Sequence, residues 1–174
     1  MSLLADAIQF ATEAHRNKKR KFDNTAYVRH PLSVMGILTE FYLENEAALA
    51  AAVLHDTVED CEDVTLEVIH ERFAEIVAGY VFYATEKSQK ADGNRKIRKE
   101  IDREHYARGT QVSQDIKLAD MIDNIPTMVL YTPDFALVYL DEKLQLLGAL
   151  KKCNPVLKAR AIKLISDMHN LLIK

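Results

Sequence analysis

Through most of the 174 residues, apolar side chains recur three and four positions apart and nowhere alternate convincingly, so the chain can bury an apolar face as helices but lacks the pattern of a sheet. Leu3, Leu4, Ala7, Ile8 and Ala11 set the pattern; Gly93 with Asn94 and the prolines at 31, 126, 133 and 155 interrupt it. The spacing predicts helices over 2–16, 31–44, 46–60, 65–73, 74–88, 94–108, 114–130, 134–151 and 155–172. Thr65, with Glu67 in the turn that follows, reads as an N-cap. Pro31 suits a first helical position and leaves His30 at the helix entrance. The expected architecture is an all-α helical bundle, one domain over residues 1–174, with Phe10, Phe41, Phe73 and Phe82 in its core.

Composition narrows the function. No apolar run approaches the length of a membrane span, and the N-terminal stretch lacks a basic segment followed by an apolar one, so cytoplasmic residence without membrane contact is expected. Cys61 and Cys153 lie far apart without metal-type spacing and are expected to be reduced. A net charge of −3 gives no general attraction to nucleic acid. The one strong basic run, RNKKRK at 16–21, lacks interleaved aromatics, so a small polyphosphate fits it better than a polynucleotide. Oligomeric state stays open.

The stretch AAVLHDTVED at 51–60 ends an apolar run in a histidine and three acids. At the end of a predicted helix, Asp56, Glu59 and Asp60 stand where the backbone dipole disfavours negative charge. Helical spacing puts His55 with Glu59 on one face and Asp56 with Asp60 on the next. Burying unpaired carboxylates is costly unless a cation, a basic side chain or water compensates them. A divalent metal would satisfy His55 and Asp56 while leaving Glu59 and Asp60 near its water; a solvated helix end is the simpler alternative. Two further segments favour the metal. AYVRHPLSV at 26–34 fixes His30 beside a proline, and IKLADMIDNIPT at 116–127 places Asp120 within the apolar stripe of Ile116, Ala119 and Ile122 or Ile125. Lys117 can pair with Asp120 as a purely structural partner. Two histidines and two aspartates nevertheless make a mixed nitrogen and oxygen set suited to Mn²⁺, Fe²⁺ or Zn²⁺ and to activating water.

The ordered motifs HP, HDTVED and KLADxxxN resemble those of the RelA/SpoT-type HD-domain hydrolases, most closely the stand-alone small alarmone hydrolases, over roughly residues 5–150. The resemblance implies a single HD-type domain that uses Mn²⁺ to remove pyrophosphate from the 3′ position of guanosine tetra- or pentaphosphate. It implies His30, His55, Asp56 and Asp120 as metal ligands, and Glu59 and Asp60 as the acids that orient the attacking water and handle its proton. Asn124 and Thr127 match nucleotide-contacting positions, and Arg20 and Lys21 match the basic pair beside base and phosphates.

Departures from the family pattern bear on the substrate. Asn17 and Lys18 stand where relatives have GQ, FDNTA replaces a glycine-containing turn, Met121 takes a usually basic position, and Pro126 another that is often basic. Pro126 lacks an N–H and disfavours helix at Ile125, so the helix is expected to kink or end there and shift Thr127. Lys90, Arg95 and Arg98 in the basic segment 84–100 are candidate phosphate contacts, with a solvated helix start as the simpler reading. Tyr27 reads as packing near the site. Two alternatives stay open: an HD-type phosphomonoesterase of another nucleotide, and a non-catalytic nucleotide-sensing module.

Overall fold

The computed structural model describes residues 2–173 and is all-α; among them no strand forms, and a single isolated bridge pairs Lys19 with Ala26. The chain divides into two compact helical units, Met1–Thr85 and Glu86–Lys174. The first holds α1 (Leu3–Ala14), α2 (Arg29–Tyr42), α3 (Glu46–Leu54), α4 (Thr57–Asp60), α5 (Leu66–Phe73) and α6 (Glu75–Ala84). The second holds a short 3-10 turn (Lys90–Asp92), α7 (Arg95–Arg108), α8 (Gln111–Tyr131), α9 (Pro133–Ala149) and α10 (Pro155–Leu172).

Short polar side chains start most of these helices, each accepting a backbone N–H that the first turn leaves orphaned: Ser2 from Ala5, Asn45 from Ala48, Thr65 from Val68, Asn94 from Ile97, Thr110 from Ser113. Each such cap is worth about 1 kcal/mol. In the first unit α3 is the axis. Its sequence EAALAAAVL is buried from Ala48 to Leu54, and α1, α2 and α6 all pack on it. Alanine on every side lets neighbouring backbones approach closely.

In the second unit α8 plays the axial part, against α7, α9 and α10. It is buried continuously from Val112 to Ile122, polar residues included, rather than along one stripe. Those polar groups tie down the ends of neighbouring helices. Gln114 donates to the Ala107 carbonyl (3.1 Å) and accepts from Lys152 N (2.8 Å), and Asp115 accepts from Asn154 N (2.7 Å) at the start of α10.

The structure corrects several predicted boundaries. The 46–60 helix breaks at His55–Asp56, where the Thr57 hydroxyl takes the Leu54 carbonyl at 2.7 Å. The acids therefore lie beyond the end of α3 and escape its dipole. The 74–88 helix stops at Ala84 because buried Asp102 accepts the Lys87 and Ser88 amides at 3.0 and 2.8 Å, the groups a continuing helix would use. Conversely, α8 runs through Pro126 to Tyr131. The missing N–H and the ring clash cost about 3 kcal/mol in a helix interior, and burial of Met121, Ile122, Ile125 and Val129 around it offsets that. Pro31 occupies the third rather than the first position of α2, still within the turn whose N–H groups need no helical partner. Of the four phenylalanines expected in the core only Phe73 is fully buried; Phe10, Phe41 and Phe82 are partly exposed.

Candidate metal centre

Three of the predicted ligands come together in the first unit. His30 is the second residue of α2 and His55 follows the last residue of α3, so the packing of these two helices brings the rings to a 5.3 Å centroid separation. Asp56 closes the group. Its Oδ1 lies 3.0 Å from His55 Nε2 and its Oδ2 lies 3.4 Å from His30 Nε2, and all three residues are buried. One donor atom from each falls within 4.8 Å of the others, about the span of two metal–ligand bonds.

The His55 ring is oriented by the backbone. Its Nδ1 is 2.8 Å from the Ala52 carbonyl, which can only accept, so Nδ1 carries the hydrogen and a neutral ring points the Nε2 lone pair at Asp56. Two acceptors 3.0 Å apart repel unless positive charge joins them, either a second proton on the imidazole or a cation. Burial would raise the Asp56 pKa, but the His55 and His30 rings outweigh it and hold the carboxyl well below its usual range. A buried carboxylate facing two imidazole nitrogens fits a divalent cation of borderline character.

Sequence reasoning undervalued two neighbours. Tyr27 is no mere packing residue: its hydroxyl donates to Asp56 Oδ2 at 2.7 Å, and its ring lies against His15 and His30. Burial and then the nearby Asp56 charge push the phenol pKa far up, so it remains a donor. Lys18, noted only as a departure, reaches Asp60 at 3.5 Å. Neither contact carries a periodicity or motif signal, because both depend on how the 15–28 loop folds back. That loop is ordered without glycine. Asn24 adopts the left-handed conformation (φ 57), and the Asp23 carboxylate caps the turn through Thr25 N at 3.0 Å.

The predicted catalytic acids sit on α4. Glu59 is exposed and Asp60 half-buried, so the break after His55 separates them in environment from Asp56. With Lys18 they line a cleft of about 550 Å³, the size of a small-ligand pocket. Arg20 is half-buried and Lys21 exposed, both in the loop that ends at Tyr27.

Asp120, Asn124 and Thr127 belong to the second unit, one below another on α8. Asp120 is buried; Lys117 meets its Oδ2 at 3.0 Å and Asn124 donates to its Oδ1 at 2.6 Å. The structural partner predicted for Asp120 is therefore present. In the basic segment, Arg95 is bound in bidentate fashion by Glu142 (2.6 and 2.8 Å), while Lys90 is exposed. Both cysteines, Cys61 and Cys153, are free.

An all-α fold with a buried His and His-Asp cluster is what defines the HD domain, and the chain belongs to that family: the HD-domain profile matches residues 7–168. Among individual relatives, it is 35% identical over 135 residues to guanosine-3′,5′-bis(diphosphate) 3′-pyrophosphohydrolase MESH1 of Xenopus tropicalis, covering 76% of this chain and 73% of that one. It is 38% identical over 128 residues to the Aquifex aeolicus guanosine-3′,5′-bis(diphosphate) 3′-pyrophosphohydrolase, covering 70% of this chain and 17% of that longer protein. A solved structure described as a metazoan ortholog of SpoT that hydrolyzes ppGpp superposes with a TM-score of 0.83 at 27% identity, covering 96% of both chains. The family resemblance read from the motifs is thus borne out, and so is the all-α fold of HD type. No helix among the described residues is long and apolar enough to cross a membrane.

Proposed function

We propose that this protein is a metal-dependent hydrolase that removes pyrophosphate from the 3′ position of guanosine tetra- or pentaphosphate, with Mn²⁺ as its metal, and that it acts in the cytoplasm on this small nucleotide rather than on nucleic acid. The observation that carries the reading is the buried His55–Asp56 pair, two acceptors at 3.0 Å with His30 beside them, which calls for a cation. The pyrophosphohydrolase relatives give the substrate. We take residues 1–174 as one functional domain, because the family profile crosses both units.

In this reading His30, His55 and Asp56 hold the cation, and Asp120 is kept as fourth ligand on the motif order alone. A divalent cation supplies a Lewis acid that lowers the pKa of water and offsets charge on phosphate oxygens. The protein's own groups do the rest. Glu59 accepts the proton of the water that adds to the phosphorus on the 3′ oxygen, and Asp60, braced by Lys18, orients that water. As the bond from phosphorus to the 3′ oxygen breaks, pyrophosphate leaves and the 3′ oxygen takes up the proton that Glu59 accepted, restoring the ribose hydroxyl. Arg20 and Lys21 bind the diphosphate, Arg20 with the planar fork suited to phosphate. Asn124 and Thr127 contact the nucleoside; because α8 passes through Pro126 without ending, they stay in one helix.

Incubating manganese-loaded protein with guanosine tetraphosphate and a nucleotide panel tests this. Pyrophosphate with guanosine diphosphate is the expected product. Orthophosphate from another nucleotide would replace this reading with the phosphomonoesterase, and binding without products would replace it with the sensor.

A further inference from the structure

Within the second unit α9 packs against α10, and between them runs an apolar groove of about 470 Å³. Leu140 and Ile165 are its floor, buried to 1% and 2%. Its rims are Leu137 and Leu144 on α9, and Ile162 and His169 on α10. Both rims span seven residues, so each is one helical stripe two turns long. Leu137, Leu144 and Ile162 are each close to half exposed, at 48%, 47% and 48%. Aliphatic side chains gathered in water around a ready-made groove mark an interaction surface, because covering them is favourable.

Charge decides what covers this face. α9 carries three acids and one lysine, whereas α10 carries three permanent cations and one aspartate. At the groove α9 presents the exposed Asp134 and Asp141, and α10 presents the exposed Lys163, one turn from the groove-lining Ser166. The pair Lys163 makes with Asp167 in its own helix is exposed on both sides, and such pairs exchange partners at little cost. A second α9–α10 hairpin related by a two-fold axis lays its basic helix on this acidic one and its acidic helix on this basic one. The match therefore occurs twice, and the rim side chains of each copy enter the groove of the other. The 17 residues of α9 give a length of about 25 Å, and two adjacent helices a width of about 20 Å. That footprint, about 500 Å² in projection, approaches the about 800 Å² of accessible surface that each partner buries in a standard interface. The groove between α5 and α6 offers no such match: Glu67, Glu71 and Glu75 line it, so a second copy placed there would oppose acid to acid. We propose that the α9–α10 face is a homodimer interface, in which two copies pack groove to groove as a four-helix bundle. No residue assigned to the metal or the substrate lies on α9 or α10, so the dimer stands or falls apart from the hydrolase reading.

Sedimentation equilibrium of the full chain over a range of concentrations tests this. The wild type should pass from monomer to dimer at micromolar protein. I162E, which places a charge against the partner's groove, should weaken the dimer by more than about 100-fold. D141K and K163E should each weaken it by about tenfold, since every rim contact occurs twice, and the double variant D141K/K163E should recover most of the wild-type affinity. That recovery separates contact across the interface from a general loss of structure. A wild type that stays monomeric at the highest concentration leaves the groove to some other occupant and overturns the proposal. So does a dimer whose affinity is unchanged by I162E, or one that the double charge exchange fails to restore. If circular dichroism shows I162E unfolded, the exposed charge variants decide alone.

Discussion

The two units treat a buried aspartate in opposite ways. Asp120 is given a fixed cation, Lys117 at 3.0 Å, and an amide donor, Asn124 at 2.6 Å. Asp56 instead faces two imidazoles and a phenol, none of which carries permanent positive charge. The first already holds a compensating charge within the protein, whereas the second gains one only when a proton or a cation enters. A carboxylate's identity and burial do not distinguish these situations. The titration range of its partners does.

The sharpest way to break this comparison is to remove the incomplete carboxylate. Asp56→Ala should release the metal, with affinity falling by more than ~100-fold, beyond what loss of a ligand's supporting partner costs; elemental analysis after gel filtration reads it out, and retained metal would refute the assignment. Glu59→Gln should keep the metal and lose turnover by about 10²–10⁴-fold, measured as kcat with guanosine tetraphosphate. Tyr27→Phe removes one donor from Asp56 and should weaken metal binding by about 10-fold with the fold intact. In the second unit, Asp115→Ala leaves the Asn154 amide without that acceptor and should cost about 1–3 kcal/mol in stability while metal content stays unchanged.

A last effect concerns pH. Burial pushes the ammonium of Lys143, on α9, down to about 8, so above that pH the unfolded chain holds more protons than the folded one. Stability therefore gains a contribution as pH rises from about 8 towards about 10.4, where the unfolded lysine loses its own proton. K143M should flatten that part of the Tm profile relative to wild type.

Helix existence was legible because it rests on periodicity, which a single sequence displays, and the helix limits that depend on caps, at Thr65 and Asn94, fell within a residue of expectation. Limits set by distant partners were not. Nothing local to Ser88 reveals that Asp102 will take its amide, and nothing local to Pro126 reveals that burial will hold the helix together. The site divides along the same line. His30, His55 and Asp56 announce themselves as unusual residues in an apolar setting, and they meet. Tyr27 and Lys18 are ordinary residues at ordinary positions, and only the folded loop gives them meaning.

The alanine-rich α3 has a consequence for how this centre tolerates change. Because His30 and His55 ride on helices whose separation is set by methyl groups, the bite of the donor set is gauged at buried positions such as Ala50 and Ala51 as well as at the ligands themselves. Thickening that axle by a carbon or two would spread the two rings and retune which ions they prefer, so drift in metal choice can begin in residues that look like inert filler.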